Sequence, residues 1–310
     1  MKRTLAGFAF LGAFAGVCAA QPDVLINTPV VKAYETIELS IDSDFGASNP
    51  YDYAAVNVSA VFRHSGGKTV TVDGFYMADY EYDAEKNSYA EKGGGFRIRF
   101  TPDRAGKWRY TVKAVKNKKT IFEPKRGEFE CVQGGSKGFI GISRVDPLFF
   151  EYSNRERYFP VGMNMSWYKE GGFADYVKWV ERFSSHGGDL IRVWMANWSF
   201  GIEWDGPIGD YGKRQKHAFM LDQVFGLCES LGVKIMLTLV PHGEFSTRVN
   251  TNWEWSPYNI KNDGLFAEPE KFFTDKVAKE AFKNRLRYIC LLYTSPSPRD
   301  RTRSRMPSSA

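Results

Sequence analysis

The residues best suited to chemistry sit in one short stretch. Leu190, Ile191, Val193, Trp194 and Met195 form an apolar run interrupted by a single charge, Arg192. A run this continuous reads as a strand covered on both faces. A guanidinium inside it is costly unless paired, since breaking a buried ion pair costs roughly 3–5 kcal/mol. The sequence therefore predicts a carboxylate partner for Arg192 inside the fold. Asn197, Trp198, Phe200, Glu203, Trp204 and Asp205 follow the run. Flat aromatic faces among amides and acids suit a flat, polyhydroxylated ligand. A buried strand feeding such a loop is the plan of a βα unit with its site at the strand's C-terminal end.

Two further strand ends repeat the plan. Tyr158–Met163 precedes Asn164, Ser166, Trp167 and Tyr168, and Lys234–Val240 precedes Pro241, His242, Gly243 and Glu244. Trp253, Trp255, Tyr258 and Asn259 enrich the next loop. Glu203, Asp205 and Glu244 read as loop carboxylates, solvated or hydrogen-bonded to ligand. Between the strands, Phe173, Tyr176, Val177, Val180 and Phe183 recur at helical spacing, stopped by Gly187-Gly188. Ala218, Leu221, Val224, Phe225, Cys228 and Leu231 form a second stripe ending at Gly232, and a third helix spans Phe272–Ile289. Alternation of strand and helix three times predicts a parallel sheet with right-handed crossovers.

The first part of the chain has a different period. Ile37, Leu39 and Ile41, then Val56, Val58, Ala60 and Phe62, then Phe96, Ile98 and Phe100 are apolar at every second residue, with turns between. This predicts an antiparallel, immunoglobulin-like β-sandwich over 21–133, expected to fold on its own. The tyrosine-rich, glycine-rich stretch Tyr76–Gly95 reads as a long loop. Residues 134–157 are a linker and lead-in, and 158–289 the α/β domain.

Both ends fall outside this scheme. Lys2 and Arg3, the apolar run Leu5–Val17 and the small residues to Ala20 make a bacterial secretory signal, expected to be cleaved after Ala20. The protein is then secreted or periplasmic, and the apolar run is too short for a membrane span. Cys290–Asp300 resembles the conceptual translation of a sequencing adapter, so 290–310 reads as a non-native tail. The formal charge of +6 includes two positive charges in the leader and a net three in this tail, leaving +1 between them. The basicity is no argument for nucleic acid. Cys131 and Cys228 fall in different domains, which argues against a disulfide framework. No His, Cys, Asp or Glu cluster has metal-ligand spacing, and no cofactor is expected.

Taken in order, Phe139–Pro147, Phe159–Trp167, Ile191–Trp204, Leu237–His242 and Phe282–Ile289 resemble cellulase-like glycoside hydrolases of clan A. In one subgroup a β-sandwich of uncharacterised function precedes a (β/α)8 TIM barrel. The resemblance implies such a barrel with only its first three βα units present. It implies retaining hydrolysis of a polysaccharide's O-glycosidic bonds by two glutamates, at the ends of the fourth and seventh strands. Neither position exists in this chain; both are expected beyond Ile289, so the chain as given is expected to be inactive. By the same resemblance Arg192 supports the nucleophile's carboxylate and His242 lies near the sugar's hydroxyls. Asn164, Trp167, Asn197, Trp198, Trp204 and Trp253 complete the expected sugar-binding set. A secreted, non-catalytic carbohydrate-binding or adhesion protein is the other reading of the same loops.

Overall fold

The computed structural model describes residues 22–293. The leader, its cleavage point and residues 294–310 of the tail lie outside them.

The alternating apolar residues of the first part build two packed sheets. One runs β1 (Leu25–Ile26), β3 (Ile37–Ile41), β7 (Ser88–Phe100) and β6 (Phe75–Asp83). The other runs β2 (Val30–Lys32), β9 (Lys119–Val132), β8 (Gly106–Lys116), β4 (Val56–His64) and β5 (Thr69–Asp73). All pairings are antiparallel except β2 with β9. Ile37, Leu39, Ile41, Ile98 and Phe100 turn wholly inward, and Phe62 stacks on Phe100 at 4.3 Å between the sheets. Tyr76–Gly95, expected to be a loop, is instead most of the β6–β7 hairpin. Its register shifts by one residue at Asp79/Tyr80, where Gly93 takes a φ of 114° that favours glycine. The hairpin is held by its partner: Tyr80 and Tyr89 pack on Phe219, and Tyr82 on Phe173.

A small antiparallel sheet follows, made of β10 (Ile140–Ile142), β11 (Phe150–Tyr152) and β12 (Arg157–Tyr158). Then come three parallel strands, β13 (Gly162–Asn164), β14 (Leu190–Trp194) and β15 (Lys234–Thr238), paired in that order. Helices α1 (Phe173–Ser185) and α2 (Gln215–Ser230) connect them, and α3 (Lys276–Tyr293) comes last. The (β/α)8 TIM barrel expected from the resemblance is not formed. The described residues hold three α-helices against fifteen strands, and three parallel strands make an open sheet; closure takes eight. After β15 the chain enters short 3-10 turns (His242–Phe245, Trp253–Trp255, Ile260–Asn262, Pro269–Phe273) instead of another strand. The fold is β-rich and sandwich-dominated. Val161 and Met163, expected inside a buried strand, lie half-exposed.

The two parts share one core. Tyr51, Phe75 and Met77 of the sandwich pack in the same cluster as Tyr176, Val180, Ile191, Val193, Leu221, Val224 and Tyr288. Arg99 on β7 forks onto Asp222 of α2 at 2.6 and 2.8 Å and donates to the Leu292 carbonyl at 2.6 Å. α3 continues past Ile289: Leu292 and Tyr293 are buried, and the Tyr293 hydroxyl donates to Ala218 O at 3.0 Å.

Candidate functional site

Side chains alternate along β14, so Ile191 and Val193 bury against α1 and α2 while Arg192 and Trp194 take the opposite face. Parallel neighbours in register share a face. Asn164, Arg192 and Met236 form one row, and Trp194 and Thr238 the next. This face is not covered by the helices. Arg192 is half-buried there; its Nε donates to Thr238 Oγ1 at 3.0 Å and its guanidinium carbon lies 5.2 Å from the Trp194 ring centre. The expected carboxylate partner is not found among the described residues. The position is partly solvated and backed by an aromatic face, so the burial penalty that would demand a carboxylate does not arise.

Trp167 connects the strand ends. It stands edge-on to Trp194 at 5.5 Å and to Trp198 at 5.4 Å, and Trp194 meets the His242 ring at 6.4 Å. Trp167 is 39% exposed and Trp198 46%, so both keep open surface. His242 is exposed, with Nε2 3.1 Å from Asn250 Nδ2. An amide nitrogen only donates, so Nε2 is placed as the acceptor in this contact. The Trp194 indole N–H is buried without a hydrogen-bond partner. Hydrogen-bond donors interleaved with aromatic faces can recognise hydroxyls and stack on a flat ring.

Of the residues expected at the site, Asn164, Trp167, Arg192, Trp198 and His242 gather here. Asn197 is adjacent but half-buried, its carbonyl accepting from Arg214 Nη2 at 2.6 Å. Trp204 is half-buried and makes no ring contact with the other tryptophans. Trp253 is a correction. It is 3% exposed, donates to Ala267 O at 3.1 Å and belongs to a separate core with Tyr258, Phe272 and Ala278. Trp194 shares the face of Arg192, as alternation along the strand implies; Thr238 and Asn250 were not foreseen, and nothing periodic points to Asn250.

The loop acids also differ from expectation. Glu203 and Glu244 are 1% and 3% exposed and face the 1% exposed Arg285 of α3. Arg285 Nη1 donates to Glu244 Oε1 at 2.8 Å and lies 3.7 Å from Glu203 Oε2. Glu203 also accepts from the Tyr258 hydroxyl at 2.7 Å and from the Gly209 N–H at 2.8 Å. Burial pushes the Glu203 carboxyl up, with Arg285 and Tyr258 opposing the shift. Burial would depress Arg285, but Glu244 and Glu203 outweigh it and hold the guanidinium protonated. Two glutamates on one arginine could suggest an acid–base pair, but at this burial no polymer reaches them. Asp205 is exposed and pairs with Arg214 at 2.7 Å. Among the described residues no three His, Cys, Asp or Glu side chains converge as a metal site, and no helix is long and apolar enough to cross a membrane.

Residues 30–115, within the sandwich, match the model of a domain family of unknown function, DUF5060. Comparison with curated proteins found no match. Several solved structures that the chain resembles are glycoside hydrolases. A candidate glycoside hydrolase from Bacteroides vulgatus is 23% identical over 68% of this chain and 41% of its own, with a TM-score of 0.49. A family 123 glycoside hydrolase from Clostridium perfringens is 10% identical over 53% and 32%, at 0.24. A purple acid phosphatase from yellow lupin is 11% identical over 81% and 40%, at 0.26. The chain spans less than half the length of each. Scores this low carry neither a fold nor an activity across.

Proposed function

We propose that this protein acts on carbohydrate, and that its sugar site is the open end of the parallel sheet carrying Asn164, Trp167, Arg192, Trp194, Trp198 and His242. The observation that supports this most is the edge-on trio Trp167, Trp194 and Trp198, two of whose members keep open faces beside a half-buried guanidinium. Aromatic platforms of this kind stack on sugar rings, while Arg192 and Asn164 address hydroxyls.

The reaction class we assign is glycoside hydrolysis, with an exported polysaccharide-degrading enzyme as the parent protein. A retaining mechanism needs two carboxyls about 5–5.5 Å apart in an open cleft, one protonated and one ionised. The Glu203–Glu244 pair is sealed from substrate and is not that pair. In this reading the catalytic glutamates lie outside the present sequence, and these residues bind the sugar without cleaving it. The test is a panel of soluble β-linked oligosaccharides, scored both for binding and for release of reducing ends. Saturable binding without release supports the proposal; no binding to any member sinks it.

A further inference from the structure

The loop 196–214, which follows β14 and carries Trp198, is fastened from two sides. From within, the buried Arg214 guanidinium holds the Asn197 carbonyl at 2.6 Å and Asp205 at 2.7 Å. From the other side the sandwich takes hold of the same loop. Asn49 Nδ2 donates to Gly209 O at 3.0 Å, and Tyr51 packs against Tyr211 with ring centres 5.3 Å apart. Gln215, the next residue after Arg214, accepts from the Ala78 backbone N–H at 3.0 Å in the interior. Its amide donates to Tyr288 Oη at 3.0 Å and to Tyr211 O at 3.3 Å.

A loop this long loses substantial conformational entropy when ordered and stays mobile unless tied down. Here the ties come from a different part of the chain: losing the Gln215 amide leaves the buried Ala78 N–H without an acceptor, and losing Asn49 leaves the part-buried Gly209 carbonyl without its donor. A sandwich acting as an independent module would meet its neighbour through a small polar interface. This one instead shares its core with α1, α2 and α3.

We propose that the β-sandwich is a positioning element: through Asn49, Tyr51 and the Gln215–Ala78 bond it sets the loop that presents Trp198. This rests on the sugar-site reading for its purpose, but its geometry can be tested without any sugar. The full chain is labelled with 5-fluorotryptophan, and the Trp198 resonance is assigned by its absence in Trp198→Phe. Two variants, Asn49→Ala and Gln215→Leu, are compared with Val72→Ala, which opens the sandwich core away from the loop. Asn49→Ala removes an edge contact and keeps the test available if Gln215→Leu folds poorly.

Both loop-side variants should shift or broaden the Trp198 signal and weaken oligosaccharide binding about 3–10-fold, the effect of one lost hydrogen bond. Val72→Ala should lower thermal stability and leave the signal in place. A Trp198 resonance unmoved in Asn49→Ala and Gln215→Leu overturns the proposal, as does an equal shift in Val72→Ala. If the wild-type chain binds no oligosaccharide, the sugar-site reading fails while the fluorine signal still decides the positioning role.

Discussion

Arg285 and Glu244 meet at 2.8 Å in the interior, joining the last helix to the turn that carries His242. Glu203 and Tyr258 close the same network from two other loops. Arg285→Met leaves two carboxylates buried with no cation. It should cost roughly 3–5 kcal/mol, read from urea unfolding. A loss below about 1 kcal/mol would mean that water or relaxation reaches the network.

Trp253 and Trp198 should behave oppositely although both are tryptophans in loops. Trp253→Ala empties a packed core and should cost roughly 3–5 kcal/mol of stability. Trp198→Ala, at an exposed position, should change stability by less than about 1 kcal/mol. Similar melting temperatures for the two variants would contradict the assignment of Trp253 to the core.

His217 gives the fold an acid-sensitive point. Burial, and then the neighbouring Arg214, push its pKa down to about 4, and its Nε2 lies 3.3 Å from Arg214 Nη1. The unfolded side chain titrates near 6.5. As pH falls, the unfolded chain therefore binds this proton first. The stability that depends on neutral His217 is complete above pH ~6.5 and is lost progressively towards pH ~4. The loss should be on the order of 3 kcal/mol. His217→Asn should flatten the stability profile across that window; an unchanged slope would rule His217 out as its source.

The shared core predicts cooperative unfolding. Tyr51, Phe75 and Met77 bury against the α/β part, so neither part keeps its core when the other unfolds. Calorimetry of the full chain should give one transition whose van't Hoff and calorimetric enthalpies agree. Two separated transitions would restore the sequence expectation of a sandwich that folds alone.

Much of the framework was legible because it is periodic. Ile37, Leu39 and Ile41 and Phe96, Ile98 and Phe100 announce inward faces, and glycines mark the ends of α1 and α2. What escaped depends on partners distant in sequence. Tyr80, Tyr82 and Tyr89 form strands because Phe173 and Phe219 cover them, which no local pattern records. Glu203, Glu244 and Arg285 look like ordinary solvated charges until the fold assembles them. Arg192 misled in the opposite sense: its place within an apolar run implied a buried ion pair, but it faces the open side of the sheet. The barrel expectation extrapolated from three βα units to a closure that the described strands do not make.

As proposed above, Trp198 is a sugar platform at the open end of the parallel sheet. Isothermal titration of the wild-type chain, Trp198→Ala and Trp253→Phe with one soluble β-linked hexasaccharide tests it directly. Removing an exposed anchor of this size should weaken binding roughly 10–30-fold, while Trp253→Phe, buried away from the site, should bind like wild type. Equal affinity for wild type and Trp198→Ala would contradict the account.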